Sequence, residues 1–243
     1  MIEKATTIAL HTVRYGENSL VAYVYTLERG RINLMVNKAY GKGKDTKKAV
    51  LFQPLSLLNL VYYPGRSHGM ARLKEVSYLH QLSSLHFNPV KRALALFIGE
   101  VIYRVIREEE SNSQLFHFLE VSIKSLDALD HGVSNFHLLF LSQLSRYLGF
   151  FPSGQYSVLT PYFDFRDGVF VKSEPAHQMF FSTQYSKILS DSISTQYENA
   201  ESLHLNGHQR SEFLNMLLSY YSYHNDSIQK IKALPVLMQV FDE

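Results

Sequence analysis

The first 80 residues alternate between short runs of β-forming residues and short breaks that contain glycine. Runs rich in β-branched and aromatic side chains are typical of strands, and breaks such as those around Gly16 and Gly30 are typical of hairpin turns. Five short strands in so little chain predict a small closed barrel of the OB type. An SH3-like barrel fits the same pattern, because periodicity does not give strand order. The predicted strands are residues 6–13, 19–27, 31–37, 55–63 and 71–79.

The period of the apolar residues changes to a helical one after Asn88. Asn88 is a good N-cap and Pro89 a good first helical residue. A second apolar stripe is centred near residue 120, and a third helix is expected to begin at Ser134. Pro235 is expected to interrupt the last helical segment. The predicted fold class is therefore α+β: an N-terminal five-stranded OB-like β-barrel, then a mostly α-helical domain with a small β-hairpin insertion at 162–171.

Charge is distributed unevenly along the chain. Residues 1–80 carry 12 Lys and Arg against 5 Asp and Glu, a net charge of +7, whereas the remainder carries −5. A basic first third suggests that this end binds a polyanion. We therefore predict two domains: a basic DNA-binding barrel at 1–80 and a helical domain at 81–243.

The most informative stretch is the glycine-lysine segment from Asn37 to Lys48, which follows the third predicted strand. Lysines neutralise phosphates and release counterions, and a tyrosine offers a ring face on which a base can stack. Arginines from the predicted turns and strands would extend this surface. An ordinary solvated loop is the alternative interpretation. The residues predicted to bind DNA are Lys38, Tyr40, Lys42, Lys44, Lys47, Lys48, Arg14, Arg66 and Arg72.

Several kinds of chemistry lack their required residues. The chain has no cysteine, which excludes disulfides, thiolate zinc sites and cysteine nucleophiles. Gly43-Lys44 is not a nucleotide-binding loop, because Lys38 and Asp45 occupy the positions that need glycine and Ser or Thr. His204 and His208 have a metal-like spacing, but the residues between them indicate a helix boundary. We predict no catalytic residue, no metal site, no cofactor and no enzymatic activity.

The first residues and the hydropathy of the chain predict its location. The first residues lack a basic stretch followed by an apolar signal core, and no run approaches the ~20 apolar residues of a membrane span. We expect a cytoplasmic protein, associated with the nucleoid if it binds DNA.

The order of motifs resembles the bacterial recombination mediator family RecO along nearly the whole chain. The similar pieces begin with Arg14-Tyr15-Gly16-Glu17, continue through the basic segment and Phe52-Gln53-Pro54-Leu55, and reach Tyr147-Leu148-Gly149-Phe150. The resemblance implies an N-terminal OB-fold, annealing of single-stranded DNA, and help in loading RecA recombinase together with RecR. The implied partners are single-stranded DNA, with double-stranded DNA as a further candidate, RecR, and the C-terminal tail of single-strand-binding protein.

The chain departs from the family pattern at one position. Many members carry a four-cysteine zinc site just after the segment that matches Gly149 to Pro152, and this chain has no cysteine. We therefore interpret residues 150–181 as a metal-free remnant of that site, held by aromatic packing.

Two other functions remain open from the sequence. The protein could be a protein-interaction adaptor without direct DNA binding, whose acidic helical part contacts partners. It could also be a nuclease, which incubation of labelled DNA with magnesium would test.

Overall fold

The computed structural model describes residues 1–40, 48–65, 69–228 and 230–242. The chain divides into two compact units, Met1–Asp127 and Ala128–Glu243. The first unit holds the barrel and the two helices that follow it, so it extends beyond the predicted domain boundary at residue 80. His80, at that boundary, is the last residue of the fifth barrel strand. The boundary of the DNA-binding domain at residue 80 stays a prediction.

Five strands close the barrel in the order β1-β2-β3-β5-β4, in which β4 pairs again with β1. All neighbours are antiparallel except β3 and β5, which pair in parallel through two residue pairs. This order is that of an OB-fold and confirms the predicted barrel. All five predicted strands are present. They are β1 (Glu3–Tyr15), β2 (Ser19–Thr26), β3 (Gly30–Val36), β4 (Leu57–Tyr63) and β5 (Ala71–His80).

The alternation of side chains along the strands separates a core face from an outer face. On β2 the even-numbered residues Leu20, Ala22 and Val24 belong to the buried cluster, and on β3 so do Leu34 and Val36. The odd-numbered residues of both strands therefore lie on the outer face of the barrel. This assignment determines which side chains can reach a ligand on the outer wall.

Two helices complete the first unit: α1 (Pro89–Val105) and α2 (Ser113–Ala128). The predicted cap is confirmed, because the Asn88 side chain accepts hydrogen bonds from the backbone N–H groups of Val90 and Lys91. At the end of α2, the Asp127 carboxylate accepts backbone N–H groups from three consecutive residues, 83–85, at 2.6–3.0 Å. The connection between β5 and α1 is thereby fastened to α2.

The second unit is mostly helical, with corrections to the predicted boundaries. Ser134 does not cap a helix, because it lies inside a 3-10 turn that precedes α3. Pro235 does not interrupt a helix, because it lies in the first turn of one, where its missing N–H has no intrahelical partner to lose. The helices are α3 (Phe136–Leu144), α4 (Thr183–Ser194), for which the sequence pattern gives no separate indication, α5 (Gly207–His224) and α6 (Leu234–Asp242).

A small three-stranded sheet accompanies these helices. It has the order β7-β6-β8, built from β6 (Tyr162–Asp164), β7 (Val169–Val171) and β8 (Phe180–Phe181). The first two strands confirm the predicted hairpin. Phe163 is fully buried and lies with ring centroids 5.1–5.5 Å from Phe170, Phe181 and Tyr220. Aromatic packing therefore holds this sheet.

In the described part of the chain, none of the helices combines the length and the apolar character needed to cross a membrane.

Candidate nucleic-acid interface

One end of the barrel is organised around the β1–β2 turn. The carbonyl oxygen of Asn18 accepts the backbone N–H groups of Ala39 at 2.7 Å and Tyr40 at 3.4 Å, and the Ser19 hydroxyl lies 3.4 Å from the amide oxygen of Asn37. The segment that follows β3 is therefore fixed to the end of β1 and the start of β2. We call this end of the barrel, formed by residues 14–19 and 37–40 together with Lys48, the rim.

The basic segment leaves the rim and returns to it at the same place. The backbone N–H of Ala49 donates to the carbonyl oxygen of Ala39 at 3.2 Å, and a 3-10 helix begins at Lys48. Ala39 is fully buried and Ala49 packs against the barrel core. Lys42, Lys44 and Lys47, which are predicted DNA-binding residues, lie outside the described residues.

Tyr40 is half-buried and packs against the edge of the barrel core. The Arg14 guanidinium lies over its ring, 5.3 Å from the ring centroid, and donates a hydrogen bond to the carbonyl oxygen of Glu17 at 3.1 Å. A guanidinium over one face of a tyrosine is a cation–π contact. The arrangement brings Arg14 and Tyr40 together at the rim, and stacking of a base on Tyr40 stays a prediction.

Three described cations lie at the rim. Arg14 and Lys38 are exposed and Lys48 is half-buried. Within the described ranges, no carboxylate lies within ion-pair distance of these three residues, whereas Arg29 pairs with Glu3 at 2.6 Å and Lys74 with Glu75 at 3.2 Å. Among the described residues, therefore, no carboxylate neutralises these three charges.

Two predicted arginines belong to β5 and to the loop before it. Arg72 is exposed on the outer wall, opposite Tyr63 of β4 and Met35 of β3. Arg72 pairs with Met35, and the next residue of β3, Val36, pairs with Leu20 of β2. Leu20 in turn pairs with Arg14 of β1. Arg72 therefore lies at the same level of the barrel as Arg14. The two residues differ in face, since Arg72 belongs to the outer wall. Arg66 lies outside the described residues.

Much of the outer wall of β1 and β2 is covered by the helices of the same unit. Tyr23 contacts Tyr103 of α1 with ring centroids 5.0 Å apart, and Tyr25 is buried against Phe116 of α2 at 6.2 Å. Burial, followed by the negative charge of Glu108, raises the pKa of Tyr25 to about 12. These two tyrosines are therefore structural in the described unit.

Arg31 has a structural role that the sequence did not suggest. Its guanidinium donates hydrogen bonds to the carbonyl oxygens of Tyr103 at 2.9 Å and Ile106 at 3.1 Å, at the end of α1, and lies 4.3 Å from the Tyr103 ring centroid. Unsatisfied carbonyl groups at a helix C-terminus attract cations. The contact joins residues 72 or more positions apart, so no local pattern indicates it.

The remaining strand tyrosines divide between the core and the surface. Tyr62 is buried and its hydroxyl donates to Glu3 at 2.9 Å. Burial, and then this hydrogen bond, raises the pKa of Tyr62 to about 12. Tyr63 is 45% exposed on the outer wall, and Tyr78, near the end of β5, is 40% exposed. Exposed aromatic surface on the barrel therefore lies on β4 and β5 as well as at the rim.

The small sheet of the second unit does not fit a zinc ion. Its segment has no cysteine, and the ligand types that come together in it are Asp164 and His177, 3.2 Å apart. One oxygen of Asp164 already accepts the backbone N–H groups of Arg166 and Asp167. Among the described residues no group of three or more metal-binding side chains occurs, and His204 and His208 flank the start of α5.

The chain matches two family models in succession. Residues 1–82 match the model described as recombination protein O N terminal, and residues 86–232 match recombination protein O C terminal. The boundary between the two matches follows the end of the barrel closely.

Curated relatives extend over the full chain. A DNA repair protein RecO of Christiangramia forsetii is 36% identical over 247 residues, which cover 99% of this chain and 100% of the relative. Proteins with the same name from Bacteroides fragilis and Phocaeicola vulgatus are 34% and 32% identical, again over at least 99% of this chain and 100% of the relative.

The chain combines a basic OB barrel, which carries an anchored lysine segment, with a mostly helical second unit. This combination places it among the OB-fold proteins of DNA recombination and repair. Within that class, the chain belongs to the recombination protein O family, RecO. The family resemblance inferred from the sequence is confirmed.

Proposed function

We propose that this protein is a DNA repair and recombination mediator that binds single-stranded DNA at the rim. One observation carries the proposal: Arg14 lies over the Tyr40 ring, and in the described ranges neither Arg14 nor the rim lysines Lys38 and Lys48 have a carboxylate at ion-pair distance. Membership of a family whose relatives are named DNA repair proteins supports it.

The chemistry of the rim suits an unpaired strand. Cations that are not neutralised by the protein displace the counterions of phosphates, and the gain in ion entropy drives binding at low salt. A tyrosine supported by the barrel core can stack against a base of any sequence. The combination favours binding that depends on salt and on strand flexibility.

Annealing follows from the same electrostatics. Two complementary strands repel each other through their phosphates, and lysines that neutralise part of this charge let the strands approach. No bond is formed or broken in this step, so we assign the protein no enzymatic role. We place its action in the cytoplasm, at the nucleoid, because that is where bacterial chromosomal DNA lies.

The finer partners are carried over from the family resemblance. We propose that RecR and the C-terminal tail of single-strand-binding protein bind this protein, and that the RecR complex helps to load RecA recombinase. Double-stranded DNA is a further candidate ligand for the rim.

The proposal is tested by titrating a fluorescent single strand at several salt concentrations. Replacement of Lys42, Lys44, Lys47 and Lys48 by alanine should weaken binding. The slope of log affinity against log salt should become shallower by about 0.7 for each phosphate that the variant no longer neutralises.

Lys172→Ala combined with Lys187→Ala provides a control, since both lysines are exposed and belong to the second unit. The control should bind like the wild type. An unchanged slope in the four-lysine variant would contradict the role of the segment. Absence of DNA binding by the intact wild type, with a partner still captured by the chain, would favour the adaptor function instead.

A further inference from the structure

A turn in the second unit, just before β6, presents two large apolar side chains to solvent. Val158 is 93% exposed and Leu159 is 73% exposed. Turns favour Gly, Pro, Asn, Asp and Ser, so the turn itself does not require a β-branched residue followed by Leu. We call these two adjacent side chains the tip.

The turn that carries the tip is fixed by hydrogen bonds and by packing. The Ser157 hydroxyl accepts the backbone N–H groups of Leu159 and Thr160, each at 3.1 Å, and lies 2.8 Å from the Thr160 hydroxyl. The ring of Tyr156 packs against Phe170 of β7, with ring centroids 6.4 Å apart. The tip is therefore held in one conformation before it binds anything, which lowers the entropic cost of binding.

The chain on both sides of the tip is uncharged. Residues 151–163 include no Asp, Glu, Lys, Arg or His. The segment itself therefore offers no cation to the phosphates of a nucleic acid, whereas a protein surface can cover it without desolvating a charge. The chemistry of the tip suits an apolar protein surface.

The same unit contains an apolar groove of about 650 Å³ beside α5. One face of α5, from Asn215 through Ser219 to Ser222, borders the groove, while the opposite face of the helix is buried in the unit. The lining also includes the exposed Lys230. The volume lies within the roughly 300–1,000 Å³ of ligand-binding pockets, which leaves room for two aliphatic side chains. The apolar part of the lining includes Phe165, Met179, Leu218, Ile231, Leu234 and Pro235.

The tip and the groove lie at opposite ends of β6. The tip precedes Tyr162, the first residue of the strand, whereas Phe165 of the groove follows Asp164, its last residue. Within one chain the tip does not occupy the groove, because both of its side chains are exposed. An exposed apolar tip and an apolar groove on the same unit are complementary between two copies.

We propose that the tip of one copy of this chain inserts into the groove of a second copy. An apolar side chain that enters a pocket elsewhere on the same kind of molecule makes a head-to-tail contact, which leaves one tip and one groove free in the pair. The contact is small, so the association is weak and depends on protein concentration. If each copy carries a DNA strand at its rim, the contact brings two strands into one complex, and this consequence alone rests on the proposed function.

Sedimentation velocity of the full chain without DNA tests the contact. The average mass of the wild type should rise above that of one chain as its concentration increases. Leu159→Asp and Ser219→Glu should each remain single chains at the same concentrations, because each places a charge in the apolar contact. A mixture of the two variants should form a species of two chains and nothing larger, since it retains one intact tip and one intact groove.

Gln184→Glu is the matched control for Ser219→Glu. Gln184 is exposed on α4 and does not line the groove, so this variant should associate like the wild type. Because the chain has no cysteine, a disulfide can also trap a weak contact without background. Leu159→Cys in one copy should form a disulfide with Ser219→Cys in a differently tagged copy, and not with Gln184→Cys.

The outcomes decide between contact and no contact. A wild type that stays a single chain and a cysteine pair that is not trapped together overturn the proposal, and DNA binding at the rim does not depend on that result. Association that both charged variants retain, or a mixture of them that stays as single chains, overturns the head-to-tail arrangement. Melting temperatures equal to that of the wild type would show that the variants lose a contact and not their fold.

Discussion

The two ends of β3 carry basic residues that do different things. At its start, Arg31 follows Gly30 and is fixed against the end of α1 by two hydrogen bonds and an aromatic ring. Beyond its last residue, Lys38 is exposed, and the described ranges hold no carboxylate at ion-pair distance from it. We call the start of β3, where the protein holds the basic residue, the sealed end, and the other end, where the basic residue is exposed, the open end. About 20 Å of strand separates them.

The comparison shows that a basic residue near a barrel is not by itself a DNA contact. The cations at the sealed end satisfy carbonyl groups and carboxylates of the protein, whereas those at the rim leave their charge to solvent or ligand. Substitutions at the sealed end should therefore change stability, and substitutions at the rim should change binding.

The largest expected effect is at Gly30, where the sealed end has no space for a side chain. Its φ is +68°, and a Cβ would collide with the carbonyl oxygen of Glu110 and lie 2.8 Å from that of Glu108. Gly30→Ala should lower the free energy of unfolding by about 3 kcal/mol, because strain adds to the collision. Urea denaturation measures it. Gly16→Ala, with a similar φ but open space around it, should cost clearly less.

Arg31 and Arg72 form a matched pair of arginines on neighbouring strands. Arg31→Ala should reduce stability by about 2 kcal/mol, since two carbonyl groups lose a charged donor. Arg72→Ala should leave stability within about 0.5 kcal/mol and reduce the salt slope of DNA binding by about 0.7. Urea denaturation of both variants measures the change in stability, and fluorescence titration at several salt concentrations measures the change in the salt slope. A salt slope that changes with Arg31 and not with Arg72 would reverse the comparison.

The aromatic ring at the open end should contribute about 1 kcal/mol to binding. Tyr40→Leu removes the stacking surface and keeps an apolar side chain against the barrel core, whereas Tyr40→Phe keeps the ring. We expect the leucine variant to lose about fivefold in affinity for a single strand and the phenylalanine variant to lose little. Tyr223→Leu, at an exposed tyrosine of the second unit, is the comparison substitution. Equal losses at Tyr40 and Tyr223 would contradict a specific role of the rim tyrosine.

The smallest expected effect is on the stability of the first unit at acidic pH. Burial alone would raise the pKa of Asp127, but the backbone N–H groups of Leu85, Ser84 and Ser83 lower it below its ordinary value of 3.8. The carboxylate therefore stabilises the first unit above about pH 4, and this contribution falls as the pH drops through the lowered pKa. The stability difference between wild type and Asp127→Asn should be constant near neutrality and should shrink below about pH 4. A difference that is independent of pH would contradict this assignment.

Local patterns predicted most of the fold because the elements that they describe are local. The alternation in β2 and β3, the hairpin turn at Gly30 and the cap at Asn88 each depend on a few neighbouring residues. The pattern was less informative where residues had several local uses. Ser134 can start a 3-10 turn as well as cap a helix, and Pro235 is tolerated in a first helical turn.

The candidate site was predictable in part for the same reason. The lysine segment stands out by composition, and its attachment to the barrel follows from its position after β3. The covering of Tyr25 and the role of Arg31 depend on α1 and α2, whose placement against the barrel is a long-range property.

The hydrogen bond between Ala49 and Ala39 makes the basic segment a self-contained insert. Its two attachment points stay together whatever lies between them, so the barrel does not depend on the length of the insert. Doubling such a loop costs only about 0.6 kcal/mol in closure entropy. Relatives, or designed variants, can therefore exchange this segment for longer or differently charged ones without any change in the barrel, and the proposed function predicts that the affinity for single-stranded DNA changes with them.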